Sequence, residues 1–213
     1  MHVLVMAKAP EPGRVKTRLC PPCDPVEAAI LAEAALADTC DAVARSGAPR
    51  RVVALDGEPG RWLPPGFEVI TQRGRSLDER LANAWVDTGG PGVQIGMDTP
   101  QVTPAALDGA LALLDAPSTT ALLGPAVDGG WWAIGLERPD PRVFRGVPMS
   151  APYTGAAQRR RLRALGHRVA ELAPMRDVDR IEDALAVARV APASRFAETL
   201  DGMARITASQ SVA

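Results

Sequence analysis

Short apolar runs alternate with stretches of helical periodicity from one end of the chain to the other, and this rhythm permits little besides an α/β fold with a largely parallel sheet. His2 to Met6 reads as a buried strand, and Pro25 to Arg45 as an alanine-rich helix carrying Ile30, Leu31, Ala34, Ala35 and Thr39 at helical spacing. Further strands are expected at Arg51 to Leu55, Phe67 to Thr71, Val93 to Met97, Thr119 to Leu123, Trp131 to Leu136 and Arg168 to Leu172. Ser76, with Glu79 three residues on, predicts a capping box and a helix through Val86. Thr103 and Pro104 predict an N-cap and first helical residue for a helix ending near Leu114. Later helices are expected at Thr154 to Leu165, Ile181 to Val190 and, more briefly, Phe196 to Met203. Residues 1–191 read as one domain and 192–213 as a C-terminal extension, frayed from Thr207 to Ala213.

Charge excludes several functions. A formal net charge of -1 argues against a nucleic-acid or anionic-membrane binder, either of which needs a broad excess of positive charge. Any basic function is local: all but two of the 24 basic residues are arginine, and the two lysines, Lys8 and Lys16, fall in the first loop. Two histidines, His2 and His167, leave little for a His-based triad or a multi-His zinc site. No apolar run reaches a membrane span and no signal peptide is recognisable, so a cytoplasmic protein is expected. Cys20-Pro-Pro-Cys23 has CxxC spacing, but no second pair exists to complete a zinc site.

Ligands of open α/β sheets bind beyond the carboxyl ends of strands, which directs attention to three loops. The first runs from Ala7 through Lys8, Gly13, Arg14, Lys16 and Arg18 to Leu19. If it is extended after Gly13, then Arg14, Lys16 and Arg18 project to one side as a polyphosphate clamp, with Val15 and Leu19 as anchors. Gly13 is its only glycine, so neither GxxxxGK[ST] nor GxGxxG is present, and the alternative is a solvated basic loop. The second is Gly96-Met97-Asp98-Thr99-Pro100, where Asp98 ends a strand in a position suited to Mg²⁺, or simply forms an Asp-Thr-Pro turn. In the third, Asp128, Gly129 and Gly130 either admit a sugar or acceptor close to the backbone or form a tight turn between strands. A later acidic stretch, Asp177 to Asp183, contains Asp179 followed by Glu182, a helix-capping pattern that leaves one carboxylate oxygen free for a metal.

Met6 to Leu19, Ile95 to Pro100 and Gly124 to Leu136 together resemble the DUF2064 family, which belongs to the GT-A nucleotide-diphospho-sugar transferase superfamily and is related to lactate-phosphate guanylyltransferases. The resemblance spans roughly Met1 to Arg189 and implies a Rossmann-like αβα sandwich with a mixed, mainly parallel sheet. It implies that the Gly13 to Arg18 loop holds a triphosphate, that Asp98 binds metal, and that Asp179 supplies a second ligand. The chain departs from the family in carrying Trp131 and Trp132 where tyrosines are usual, and Met149-Ser150-Ala151 in place of Trp-Ser-Thr.

The expected function is transfer of a nucleoside monophosphate from an NTP to a small phosphorylated acceptor, with Mg²⁺ (or Mn²⁺) and release of pyrophosphate. Lys16 and Arg18 would hold the β- and γ-phosphates, with Lys8 and Arg14 steering and stabilising charge. Two alternatives stay open: a GT-A glycosyltransferase using a nucleotide sugar, and a non-catalytic nucleotide-binding protein. The single aspartate of Met97-Asp98-Thr99-Pro100, in place of an Asp-x-Asp pair, favours nucleotidyl transfer. Trp131 and Trp132 are open between core, stacking surface and protein contact, and the arginines at 159, 160, 161 and 163 between acceptor contact and solvated helix face.

Overall fold

The computed structural model describes residues 1–210; residues 211–213, and the side chains of 204–210, lie outside the described part. Seven strands form one sheet: β1 (His2–Lys8), β2 (Arg50–Asp56), β3 (Glu68–Thr71), β4 (Gly92–Gly96), β5 (Ala121–Pro125), β6 (Trp131–Leu136) and β7 (Val169–Glu171). Their order is β3-β2-β1-β4-β6-β5-β7. Only β6 runs antiparallel to its neighbours β4 and β5, because it returns directly through the turn before Trp131.

Six α-helices complete an αβα sandwich: α1 (Pro25–Arg45), α2 (Leu77–Thr88), α3 (Pro104–Asp115), α4 (Thr154–Ala164), α5 (Ile181–Val190) and α6 (Arg195–Gln210). One face of the sheet packs against α1 and α3 through Val5, Leu36, Val53, Ile95 and Leu107. The other packs against α2 and α4 through Leu4, Val52, Trp85, Ile134 and Leu162. A third cluster lies among α1, α5 and α6, where Leu31, Val187, Phe196 and Leu200 surround Leu19 and Val178.

The helix ends show where local pattern and structure part. Thr103 caps α3 as expected, its hydroxyl accepting from the Ala106 N–H at 3.2 Å. Asp24 and Glu27 form a full capping box on α1, Asp24 accepting from Val26 and Glu27 N–H and Glu27 from Asp24 N–H. Ser76 stands at the N-cap of α2 but donates to Asp78, while Glu79 turns back to accept from the Arg75 N–H at 2.8 Å. Asp179 does not cap α5. The helix begins one residue later, where Asp183 accepts from the Arg180 N–H at 3.0 Å, leaving Asp179 outside the cap. Helix α6 continues to Gln210, past the expected fraying at Thr207, and the end of that tail lies outside the described residues.

Strand β1 sits between β2 and β4, both parallel to it. The chain leaves β1 toward β2 and comes back to β4 on the other side, so the carboxyl ends of β1 and β4 form a topological switch point. Alternation along β4 turns Val93 and Ile95 into the α1/α3 core and leaves Gly92, Gln94 and Gly96 on the opposite face. A cleft opens there.

Candidate active site

The cleft has a volume of about 800 Å³ and runs between the N-terminal half of α2 and the segment before α4. Lys8, Arg18, Asp98, Asp128, Gly130, Asp177 and Asp179 all line it. A smaller recess of about 240 Å³ adjoins it, lined by Lys8, Arg14, Lys16 and Arg18 together with Asp98 and Asp179. The four cations of the first loop therefore share one recess, though not by the expected route. The loop is not extended: Gly13 (φ 76°) and Lys16 (φ 49°) are left-handed, and Thr17–Leu19 is a 3-10 turn. The turn is fastened at both ends, with Val15 6% exposed and Leu19 fully buried. An alternating extended run cannot make those two anchors, which lie in different core clusters.

Three of the four cations have acidic partners. Lys16 Nζ lies 2.6 Å from Asp98 Oδ1 and also donates to the carbonyl of Val178. Arg18 Nη1 donates to Asp179 Oδ2 at 2.8 Å, a bond that holds the guanidinium pKa above its usual range. Arg14 turns outward to Glu11, at 2.8 Å, and more distantly to Asp56, at 3.8 Å. Lys8 ends β1, its backbone N–H donating to Met97 Sδ at 3.3 Å and its side chain exposed.

One backbone contact assembles the acids. The Val178 N–H donates to the carbonyl of Asp98 at 2.9 Å, drawing the segment before α5 against the end of β4. Val178 points into the α1/α5/α6 core, so Asp177 and Asp179 on either side of it face the cleft. Asp177 is the functional candidate that sequence reasoning passed over. Burial first, then the neighbouring charges of Asp128 and Asp98, push its carboxyl up to about 6. Its membership of the acidic stretch was the available signal; only the fold shows that three other acids converge on it.

The Asp128 turn has a structural explanation of its own. Asp128 accepts from the Gly130 N–H at 2.7 Å, and a Cβ at Gly129 would sit 1.9 Å from the carbonyl oxygen of Pro152. The room at Gly129 is thus filled by the segment before α4, while Gly130 lines the cleft. The tryptophans separate: Trp132 is 4% exposed and donates through Nε1 to Ala173, whereas Trp131 lines the cleft. On α4, Arg159 pairs with Glu171 at 2.7 Å and Arg161 donates to the carbonyl of Arg142, so neither projects into the cleft. Cys20 and Cys23 are free thiols, and burial raises the Cys23 pKa.

Among the described residues no three His, Cys, Asp or Glu side chains form a ready-made metal cage. The donor set still suits a hard divalent cation, since its members, Asp98, Asp128, Asp177 and Asp179, are all carboxylates lining one cleft. Mg²⁺ commonly completes such partial sets with water and substrate phosphates. No helix among the described residues is long and apolar enough to cross a membrane.

The fold recurs in solved structures. A candidate nucleotide-diphospho-sugar transferase from Desulfovibrio desulfuricans G20 matches with 27% identity and a TM-score of 0.83, covering 94% of each chain. CMP:2-keto-3-deoxy-manno-octonic acid synthetase complexed with CTP has 14% identity and a TM-score of 0.55, over 89% of this chain and 97% of its own. A cytidylyltransferase from Leptospira borgpetersenii, with 14% identity and a TM-score of 0.52, is covered over 94% of its length and 97% of this one. No curated protein matches the sequence. Residues 30–151 match the family described as "Uncharacterized protein conserved in bacteria (DUF2064)", and with more than half its length in that match the chain belongs to the DUF2064 family.

Proposed function

We infer that the protein transfers a nucleoside monophosphate from an NTP to a small phosphorylated acceptor, releasing pyrophosphate, with Mg²⁺ (or Mn²⁺) as cofactor. The observation that carries this reading is the pairing of Lys16 with Asp98 and Arg18 with Asp179 across one recess. Both pairs are partly solvent-exposed, and each can be exchanged without leaving an uncompensated charge: the cations pass to phosphates and the carboxylates to a metal ion.

Lys16 and Arg18 hold the β- and γ-phosphates, and Lys8 and Arg14 add positive charge at the recess mouth. Asp98 and Asp179 hold the metal, with Asp177 and Asp128 close enough to strengthen the local negative field. When bound, the divalent ion neutralises charge building on the leaving pyrophosphate. An acceptor phosphate oxygen forms the new bond to the α-phosphorus as the α–β bridging bond breaks. That oxygen is already ionised, so no general base is required. The single acid at the end of β4 supports this reading over glycosyl transfer. The nucleotide-diphospho-sugar alternative draws on the name of the Desulfovibrio neighbour.

The deciding experiment supplies Mg²⁺, each NTP and a panel of small phosphorylated acceptors, and follows pyrophosphate. Acceptor-dependent pyrophosphate release is expected. Release of NDP from nucleotide sugars, with no pyrophosphate from NTPs, would replace this reading with the glycosyltransferase one. Binding without turnover of any donor would leave a nucleotide-binding protein.

A further inference from the structure

Beneath the charged mouth, the floor of the cleft is set by the face of β4 that carries Gly92, Gln94 and Gly96. Gln94 is 1% exposed, lines the cleft, and its side-chain Oε1 has no hydrogen-bond partner. Such a group costs folding free energy, because its water is lost and not replaced. A leucine would fit among its neighbours, since Leu4 lies beside it on β1 and Ile134 on β6. The two residues flanking it on the same face are glycines with different duties. Gly92 makes room for the His2 ring, whose Cδ2 a Cβ there would meet at 2.5 Å. Gly96 faces open space: a Cβ there would find only the Asp98 N–H nitrogen, at 3.9 Å. The absence of a side chain at Gly96 is what lets the cleft reach down to Gln94.

The surroundings define what would be read there. Leu77 and Leu81 of α2 form one wall, and Trp131 and Met149 the other, giving an apolar slot. A second carboxamide, Gln72, spends both hydrogens of its amide on the carbonyls of Ala7 and Ala54, which leaves only its oxygen for a ligand. Asp98 lies four positions beyond Gln94, at most roughly 13 Å at the rise of a strand, a span that a nucleotide covers from phosphate to base edge. Carboxamides pair well with the mixed donor and acceptor edges of purines and pyrimidines, and a flat apolar slot accepts their faces. We propose that Gln94 is a specificity-determining residue that reads the edge of the nucleobase when a nucleotide occupies the cleft. The proposal rests on the nucleotide-binding part of the reading above and is shared by nucleoside triphosphates and nucleotide sugars.

The test measures binding of ATP, GTP, CTP, UTP and the matching nucleotide sugars by calorimetry in Mg²⁺, with inorganic tripolyphosphate as a base-free probe. The intact protein should prefer one base by about tenfold or more. In Gln94→Leu that preference should collapse to about threefold or less, through loss of affinity for the favoured base, while tripolyphosphate binds as before. The ligand-free melting temperature of Gln94→Leu should hold or rise, since an unpaired polar group has gone. Gly96→Ala, which leaves Gln94 in place but roofs it with a methyl group, should lower affinity for nucleotides and spare tripolyphosphate. A Gln94→Leu protein that keeps its base preference, or that melts lower with preference intact, would show the amide to be structural and overturn the proposal. Equal affinity of the intact protein for all four bases would overturn it while leaving nucleotidyl transfer standing. Absence of all nucleotide binding would overturn both.

Discussion

Lys16 and Asp98, 82 residues apart in sequence, meet at 2.6 Å in the recess beside the cleft. The lysine is held on two sides, since its ammonium also donates to the carbonyl of Val178. Lys16→Ala should therefore reduce NTP affinity by about tenfold or more, the worth of a charge-assisted hydrogen bond, and leave binding of the free nucleoside unchanged. Titration of both ligands checks this; equal losses would place Lys16 outside the phosphate contacts.

On the proposed reading Asp98 has the converse role. Asp98→Ala should lower turnover by at least about a hundredfold, equivalent to about 3 kcal/mol of charge stabilisation. Lys16 would then lose its carboxylate partner, so the same variant should still bind tripolyphosphate in the absence of metal. Steady-state pyrophosphate release and metal-free binding together distinguish loss of the metal ligand from collapse of the recess.

Asp177 is crowded by Asp128 and Asp98 and partly buried. Asp177→Asn should raise the ligand-free melting temperature at neutral pH, because it removes a charge the fold disfavours. It should also shrink the extra stability gained on adding Mg²⁺ with nucleotide. Thermal denaturation with and without Mg²⁺-NTP reads both effects, and an unchanged Mg²⁺ response would show that Asp177 adds nothing to the field at the metal.

His2 provides the pH dependence. Its ring lies edge-on to Trp85 at 5.4 Å, its Nε2 has no partner, and burial, followed by the charges of Arg50 and the N-terminus, lowers its pKa to about 4. The unfolded chain binds a proton near pH 6.5 and the folded one only near 4, so this contribution is complete above about 6.5 and is lost as pH falls through that window. It amounts to about 3 kcal/mol. Urea denaturation of the protein and of His2→Asn from pH 7 to pH 4 should show the smaller decline in the variant.

The same ring makes Gly92 obligatory. Gly92→Ala should destabilise the fold by about 1–3 kcal/mol, since the Cβ has nowhere to go while the imidazole stays in place. Combining it with His2→Ala should give less than the sum of the two single losses. Additive losses in a double-mutant cycle would mean that the contact is relieved by another shift.

Much of this architecture was legible in the sequence. Periodicity located the strands and helices because each buries one face or stripe, and Thr103-Pro104 announced a helix start that the structure keeps. Capping chemistry was less decisive where several carboxylates compete: Asp183, not Asp179, satisfies the start of α5 because it also has Arg176 to hold it. Conformation of the cation loop was out of reach, since nothing local requires Lys16 to be left-handed. That geometry comes from anchoring Val15 and Leu19 in two separate cores. Among the site candidates, Lys8, Arg18, Asp98, Asp128, Gly130 and Asp179 meet in one cleft, while Arg14 and Lys16 line only the adjoining recess. Gln94 left a readable trace, a strand with branched residues on one side and glycine, glutamine and glycine on the other.

Leu19 and Val178 are buried in the same small cluster, closed from outside by Phe196 and Leu200 of α6. Leu19 ends the basic turn and Val178 divides the two acids, so the opposing halves of the charged recess hang from one apolar mount. The last helix thus steadies a recess that none of its described residues lines. A chain cut after residue 191 would keep every polar group of the recess but uncover the apolar cluster that seats both of its halves, so a deletion far from the charged groups would still reach them.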